Sequence, residues 1–195
     1  MNTRNYKYTK RLINKQDIWW KRLLNVQAPY RWNLKRLQPG FTLDIGCGIG
    51  RNLINLDGEG VGIDHNIQSV QITRNKGLTA FTPDEFRDSS FNKEQTFDSI
   101  LLSHVAEHMS QKEVIQLIRQ HLYLLKAKGK IIIITPQEAG YKSDKTHVEF
   151  MDFGKLRNIS YSLDLQLLKQ YSFPFPRFIG HIFTYNEFIS VSSYI

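Results

Sequence analysis

The stretch LDIGCGIGRNL, residues 43–53, places three alternating glycines directly after a short apolar run. This pattern is typical of a β-strand that passes through a tight loop into a helix. Three glycines exceed what such a turn requires, so we expect a ligand to approach the backbone closely here. The feature favours an α/β fold, in which ligands bind at the carboxyl ends of parallel strands.

Short apolar runs alternate with helical patterns after residue 40. We predict strands at residues 41–45, 60–63, 78–82, 97–103 and 130–135, with helices at 51–55, 67–76, 110–125 and 153–163. Ser110 and Glu113 form a capping box at the start of one helix. The run of isoleucines at 131–134 suits a strand that is covered on both faces. Two final strands, 165–173 and 183–191, are predicted to form a hairpin.

This alternation predicts an α/β fold with a doubly wound, mostly parallel, seven-stranded sheet that ends in a C-terminal antiparallel hairpin. We expect this domain to span residues 39–195, after a basic N-terminal helical cap at residues 1–38. The net charge of +8 comes from the first 36 residues, which hold ten basic side chains and one acidic side chain. The segment suits a solvated helix face, and the alternative is an arm for nucleic acid, an anionic membrane or an acidic substrate.

Composition favours a cytoplasmic protein. Cys47 is the single cysteine, so no disulfide forms within the chain. The N-terminal residues lack the apolar stretch of a secretory signal, and no apolar run is long enough to span a bilayer.

The glycine spacing excludes two common nucleotide loops. Residues 46–50 match neither G-x-G-x-x-G nor the G-x-x-x-x-G-K-[ST] sequence of a P-loop. Asp44, at the end of the strand, would repel a pyrophosphate, whereas it suits a ligand that carries an ammonium or sulfonium group. The same spacing disfavours an NAD-dependent oxidoreductase.

Four segments together resemble the class I S-adenosylmethionine-dependent methyltransferases. LDIGCGIG resembles motif I of that family, GVGID (residues 60–64) its second-strand motif, FDSILLSHVAEHM (97–109) its fourth strand and following loop, and LKAKGKIIIITP (125–136) its fifth strand. The segments lie in the family's order across residues 41–136. The resemblance implies a Rossmann-like fold, S-adenosylmethionine as cofactor, and transfer of its methyl group to an acceptor.

The resemblance also implies a set of cofactor-binding residues. Asp64 is expected to accept hydrogen bonds from the ribose hydroxyls, with an N-cap as its alternative role. Residues 82–86 would flank the adenine, or form a solvated turn. Arg31 would reach the methionine carboxylate, or belong to a packed helix. The predicted cofactor-binding residues are Asp44, Gly46, Cys47, Gly48, Gly50, Asp64, His65, Asp84, Glu85, Phe86, Ser103 and Arg31.

Two histidines are the predicted catalytic residues. His104 follows the fourth strand, where it would serve as a general base or a backbone contact. His147 follows the fifth strand and would contact the acceptor or act as a base, with a plain loop residue as the alternative. Residues 104–108 read H-x-x-E-H rather than the zincin H-E-x-x-H, and without an evident third ligand we expect no metal.

The favoured function is therefore methyl transfer to a small-molecule or lipid-like acceptor. The alternatives are methylation of RNA or another nucleic acid through the basic arm, and a protein that binds S-adenosylmethionine without catalysis. Residues 103–106, SHVA, lack the N/D-P-P-Y/F sequence that many nucleic-acid amino methyltransferases of the family carry at this place, which disfavours N-methylation of bases.

Overall fold

The structure is a computed structural model, and it describes residues 27–194. The described chain divides into two compact units, which comprise residues 27–91 and 92–194. Residues 1–26 of the predicted N-terminal helical cap lie outside the described residues, and the predicted boundary at residue 38 stays a prediction. Among the described residues, none of the helices is long and apolar enough to cross a membrane.

The first unit combines parallel strands with short helices. Strand β1 (Thr42–Ile45) pairs in parallel with β2 (Gly60–Ile63), and β2 pairs in parallel with β3 (Ala80–Phe81). Both β1 and β2 are buried along their whole length, as the apolar sequence predicts. The helices within residues 27–91 are α1 (Ala28–Arg36), α2 (Arg51–Asn55), α3 (Ile67–Asn75) and α4 (Pro83–Arg87).

Side-chain caps fix the starts of two helices in the first unit, α3 and α4. The side chain of Asn66 accepts hydrogen bonds from the N–H groups of Gln68 and Ser69 and so caps α3. Thr82 and Glu85 form a capping box at α4. The short α4 takes the place of the solvated turn that was the alternative for residues 82–86, because Pro83 fits the first turn of a helix, where its missing N–H costs nothing.

The second unit holds a mixed group of strands. Strand β4 (Phe97–Ser103) pairs in parallel with β5 (Leu125–Pro136). β7 (Glu187–Ser193) pairs antiparallel with β5 and with β6 (Gln166–Phe173), so the order here is β4-β5-β7-β6. The helices within residues 92–194 are α5 (Gln111–Arg119), α6 (Glu138–Lys142) and α7 (Phe153–Ser162), with 3₁₀ turns at Ala106–His108, Leu122–Leu124 and Arg177–His181.

A buried polar network fixes the connection between β6 and β7. The side chain of Gln137 donates to the Ser172 hydroxyl at 2.8 Å and to the Glu187 carbonyl at 2.9 Å. Its carbonyl oxygen accepts from Asn186 at 3.0 Å. Gly180 packs so closely against this amide that an added Cβ would lie 1.8 Å from the Gln137 side-chain oxygen. The network thus satisfies the buried polar groups and holds residues 174–186 in place.

The predicted fold class is confirmed. Parallel strands alternate with helices, and the chain ends in an antiparallel pair, which gives an α/β fold with seven strands. The strands at 60–63 and 97–103, the helix at 51–55 and the Ser110–Glu113 capping box lie where the sequence placed them.

The predicted boundary between the helix at 110–125 and the fifth strand was wrong. The α-helix ends at Arg119, and β5 begins at Leu125. Lys126 is part of the strand, where its ammonium group contacts the Asp98 carboxylate at 2.7 Å. Gly129 lies close to Leu125, and the register shifts between Phe97 and Ser99. The three exposed residues at 126–128 therefore lie in an irregular part of the strand. A pattern of apolar residues does not reveal such an irregularity.

Candidate functional site

The glycine loop between β1 and α2 needs its glycines for their backbone conformation. Gly46, Gly48 and Gly50 all have positive φ, at 77°, 54° and 78°. A side chain is costly in this left-handed region. Gly50 has a second constraint, because an added Cβ would lie 2.8 Å from Thr73 of α3. Gly50 therefore serves helix packing, whereas Gly46 and Gly48 lie at the end of β1, where we predicted that a ligand approaches.

Four N–H groups of this loop, those of Gly46, Cys47, Gly48 and Gly50, are directed into the protein. Those of Gly46 and Cys47 donate to the Ile63 carbonyl at 2.7 and 3.1 Å, and that of Gly50 donates to the Cys47 carbonyl at 3.0 Å. The N–H of Gly48 donates to Asp64 Oδ2 at 2.8 Å. Phosphate-binding loops instead present their N–H groups to the ligand. The loop is therefore unsuited to a pyrophosphate, as the spacing predicted.

Asp44 is a buried carboxylate with an unfilled acceptor. Its residue is 1% exposed, and Oδ2 has no hydrogen-bond partner among the described residues. Oδ1 accepts only a long hydrogen bond of 3.5 Å from the Asn52 amide. Burial raises the pKa of this carboxyl to about 7, although Asn52 and the charge of Arg51 act in the opposite direction. Such a group is stabilised as an anion when a cationic ligand supplies the missing partner.

Asp64 connects the end of β2 to the glycine loop. Besides the bond from Gly48, its Oδ1 accepts from the Asn66 N–H at 2.8 Å. Because Asn66 caps α3, the alternative role of Asp64 as the N-cap does not apply. A carboxylate has about four acceptor positions, so two remain for hydroxyl donors. Asp64 thus orders the loop and can still bind a ribose.

The other predicted cofactor residues of the first unit occupy varied positions. Cys47 is buried with Leu53, Val70 and Ala80, so its thiol belongs to the core and burial raises its pKa. His65 is exposed directly after Asp64, and Arg31 is exposed on α1.

The residues predicted to flank the adenine lie on α4. Phe86 is buried and contacts the ring of Phe81 edge-on, with centroids 6.3 Å apart. Glu85 is engaged by Arg74 through two hydrogen bonds of 3.2 and 2.8 Å, which hold the pKa of its carboxyl below the usual range. Asp84 is exposed, and its carboxylate pairs with the neighbouring Arg87 at 3.2 Å. Glu85 is exposed as well but is engaged by Arg74, so Asp84 is the more available acceptor for an adenine amino group.

In the second unit, His104 lies between two carboxylates at the end of β4, directly after the buried Ser103. It has a positive φ of 58°, uncommon for a residue with a side chain. Nε2 donates to Glu187 Oε1 at 2.8 Å, and Nδ1 lies 3.3 Å from Glu107 Oε1. Burial opposes protonation, but the two carboxylates outweigh it and raise the pKa of His104 to about 9. At neutral pH the ring therefore holds its proton, and the general-base role stays a prediction.

His147 lies in a cluster of rings in the same unit. Its ring stacks on Tyr141 with centroids 5.1 Å apart, and the ring of His108 meets it edge-on at 4.9 Å. Its Nδ1 lies 2.6 Å from the Tyr141 carbonyl, which can only accept, so Nδ1 carries the hydrogen. The predicted role of His147 as a substrate contact or base stays a prediction.

Two acidic residues of this site were missed by the sequence analysis as partners of His104. Glu107 follows it by three residues, so the spacing within SHVAEHM was an available signal. Glu187 lies 83 residues away, and the register of β7 against β5 and β6 brings it there. Such a contact depends on strand pairing, which residue types alone do not specify.

The first unit fits an S-adenosylmethionine nucleoside better than a phosphate compound. Asp44 offers a buried acceptor that lacks a partner, suited to an ammonium or sulfonium group. Asp64 retains acceptor capacity for hydroxyls, and the loop N–H groups are already engaged. The residues present therefore fit the cofactor implied by the motifs.

Solved structures with similar folds include S-adenosylmethionine-dependent methyltransferases. The chain is 18% identical to an S-adenosylmethionine-dependent methyltransferase from Archaeoglobus fulgidus, with a TM-score of 0.67 over 85% of this chain and 93% of that one. It is 15% identical to a Thermotoga maritima S-adenosylmethionine-dependent methyltransferase described as a possible histamine N-methyltransferase, with a TM-score of 0.67 over 94% and 95%. It is 15% identical to magnesium protoporphyrin IX methyltransferase from Synechocystis with bound S-adenosylmethionine, with a TM-score of 0.59 over 87% of this chain and 82% of that one.

The sequence itself matches a family model. No curated protein matches the chain significantly. The model of the methyltransferase domain, however, matches residues 20–188. This match and the shared fold confirm the predicted class I enzyme family, its methyltransferase activity and S-adenosylmethionine as its cofactor. The chain belongs to the methyltransferase domain family.

Proposed function

We propose that this methyltransferase acts on a small-molecule or lipid-like acceptor with an apolar body. The observation that carries the proposal is a group of exposed apolar side chains on the connection between β6 and β7. We call residues 174–185 the apolar connection; its exposed members are Phe175, Phe178, Ile182 and Tyr185. Phe178 and Ile182 are 68% and 80% exposed. Several such residues within twelve positions suit a binding surface for apolar material.

The apolar connection is firmly held at its base. Arg177 forms a two-pronged hydrogen-bonded ion pair with Glu138 of α6. Its guanidinium also lies 4.7 Å from the ring of Phe188 in β7. Together with the Gln137 network, these contacts fix the backbone while the apolar side chains point outwards. A fixed surface of this kind loses little conformational entropy when it binds an acceptor.

The charge distribution also supports a small acceptor over a nucleic acid. Residues 37–195 hold 16 basic and 17 acidic side chains, so this part of the chain lacks the excess positive charge that attracts phosphate backbones.

We further propose that Asp44 binds the cationic methionine end of the cofactor and that Asp64 binds its ribose hydroxyls. S-adenosylmethionine, when bound, supplies a methyl group activated by its sulfonium charge. The protein has to hold this nucleoside, orient the acceptor and exclude water. Asp44 contributes a buried counter-charge, and Asp64 contributes acceptors held in place by the Gly48 and Asn66 N–H groups.

A methylation screen tests the acceptor class. Purified full-length protein is incubated with labelled S-adenosylmethionine and, in separate reactions, with apolar metabolites, a total lipid extract, and total RNA. We expect label in an apolar metabolite or lipid. Label that enters only RNA would refute the proposal and favour the basic N-terminal segment as a nucleic-acid arm.

Substitutions then locate the acceptor surface. Phe178→Ser and Ile182→Ser together should raise KM for the apolar acceptor about tenfold or more, because each removes an apolar contact worth roughly 1 kcal/mol. Tyr161→Ser is the matched control, since Tyr161 is also exposed but lies on α7. An equal change in KM from the control would remove the apolar connection from the acceptor site.

A further inference from the structure

Glu107, His108 and His147 bring three potential metal ligands together in the second unit. One carboxylate oxygen and one ring nitrogen from each histidine lie within 4.8 Å of one another. Glu107 and His108 belong to the 3₁₀ turn after β4, and His147 lies in the segment before α7. The three residues thus come from two separate parts of the chain.

Glu107 is a buried carboxylate whose hydrogen-bonding capacity is unfilled by the described residues. It is 1% exposed, and neither carboxylate oxygen accepts a hydrogen bond from the described residues. Oε1 lies 3.3 Å from His104 Nδ1, an ion-pair contact without hydrogen-bond geometry, and no partner of Oε2 is found in the described chain. A buried carboxylate is costly unless a cation or a donor compensates it. The turn therefore holds an acidic group that can accept a further positive partner.

Both histidines are fixed in the form that suits metal binding. His147 Nδ1 donates to the Tyr141 carbonyl at 2.6 Å, and His108 Nδ1 donates to the Thr146 carbonyl at 3.2 Å. The Thr146 hydroxyl donates to Asp144 at 2.9 Å, so it too can only accept from His108. In each neutral ring, Nε2 then carries the lone pair. Metal-binding histidines commonly donate their other N–H to a backbone carbonyl in this way.

Backbone hydrogen bonds connect the two parts of the cluster. The Glu107 carbonyl accepts from the N–H groups of Val148 and Glu149 at 2.7 and 3.2 Å. The residue after His147 is therefore tied directly to the residue before His108. These contacts hold the three side chains near one another without any ligand.

We propose that Glu107, His108 and His147 bind a divalent first-row transition-metal ion, through one carboxylate oxygen and the two Nε2 atoms. Two imidazoles and one carboxylate suit Zn²⁺ or its neighbours better than Mg²⁺ or Ca²⁺, which prefer oxygen ligands. In a tetrahedral site with bonds of about 2.1 Å the ligand atoms lie about 3.4 Å apart, so atoms that now lie within 4.8 Å of one another must close by roughly 1.4 Å or less. Three protein ligands leave a position open for an oxygen or nitrogen atom of another molecule.

This proposal revises the expectation from sequence. The H-x-x-E-H order of residues 104–108 gave no third ligand, and His147 supplies one from 39 residues beyond His108. The role of Oε1 is then to contact His104, which positions the carboxylate while Oε2 faces the ion.

Calorimetric titration with Zn²⁺ tests the site. The full chain, prepared without a polyhistidine tag and freed of metal by a chelator, should bind one equivalent of Zn²⁺ and should bind Mg²⁺ far more weakly. His147→Ala and Glu107→Gln should each weaken Zn²⁺ binding 10- to 100-fold or more. His121→Ala is the control, because His121 is in the same unit but outside the cluster, with Nδ1 on the Leu117 carbonyl.

A second measurement covers variants that fold poorly. Co²⁺ added to the wild-type chain should give the visible absorption of a site with nitrogen and oxygen ligands, at one equivalent, and Zn²⁺ should abolish it. Absence of one-to-one binding by the wild type overturns the proposal. So does a His147→Ala or His147→Gln variant that folds as judged by circular dichroism and binds Zn²⁺ as tightly as His121→Ala.

Discussion

The raised pKa of Asp44 predicts that cofactor affinity depends on pH. In the free protein the carboxyl has a pKa of about 7, because burial disfavours its charge. If the cationic cofactor binds only when Asp44 is ionised, the apparent Kd of the cofactor rises as the ionised fraction of Asp44 falls. That fraction is about one half at pH 7 and about 0.03 at pH 5.5, so the apparent Kd should be about 16-fold weaker at pH 5.5. The amino group of the ligand stays protonated over this window.

The same group affects the stability of the free protein in the opposite direction. A carboxyl whose pKa is higher in the folded state binds its proton more tightly there than in the unfolded chain. Its contribution to stability is fully present below pH 3.8 and is lost as the pH rises through about 7. The loss is on the order of a few kcal/mol. We expect S-adenosylmethionine to raise the melting temperature more at pH 7 than at pH 5.5, since the bound cation stabilises the anion.

Calorimetry of S-adenosylmethionine binding at pH 5.5, 6.0, 6.5 and 7.0 measures the effect. Asp44→Asn is the matched variant, because it keeps the shape and the possible Asn52 contact but cannot ionise. It should bind weakly at every pH, and no more tightly than the wild type at pH 5.5. His65→Ala is a control for the neighbouring exposed histidine and should keep the wild-type pH dependence. A wild-type Kd that stays constant across this range, or an Asp44→Asn variant with wild-type affinity at pH 7, would refute the role of Asp44.

Three further changes test the first and second units. Asp64→Ala should weaken cofactor binding by about 1–3 kcal/mol, since it removes acceptors from the ribose and also releases the Gly48 N–H; calorimetry measures this, and unchanged affinity would exclude Asp64 from the site. Gly48→Val should abolish binding while the chain stays folded, at a strain cost of about 1–2 kcal/mol from its positive φ; normal binding would contradict close approach. Gly180→Ala should lower the free energy of unfolding in urea by about 1–3 kcal/mol, because the new methyl group meets Gln137. Gly154→Ala, at an exposed helical position, is the control and should change stability by less than about 1 kcal/mol.

The sequence predicted the fold because its signals were local. The apolar runs at β2 and β4 and the capping box at Ser110 depend on residues within a few positions of one another, so periodicity and capping rules identify them. The course of the chain through Lys126–Gly129 depends instead on pairing with β4. The three exposed residues at 126–128 suggested the end of a helix from sequence. Their place in β5 is explained by the pairing of this strand with β4.

The site could be predicted in part for the same reason. Gly48 and Asp64 were found from motifs, and the hydrogen bond between them explains why both motifs occur together. The hydrogen bonds from Arg74 to the Glu85 carboxylate were not predictable, since the two residues lie on different helices. The proximity of His147 to Glu107 was not predictable either, because it depends on backbone hydrogen bonds between segments that are distant in sequence.

The most direct test of the cofactor site is a crystal structure of the full chain with S-adenosylhomocysteine. We predict that the ribose hydroxyls of the ligand contact Asp64 and that its amino group lies beside Asp44. We also predict that the ligand packs directly against the backbone of Gly46 and Gly48. A nucleoside bound elsewhere, with these two carboxylates still in contact only with the protein, would contradict the account.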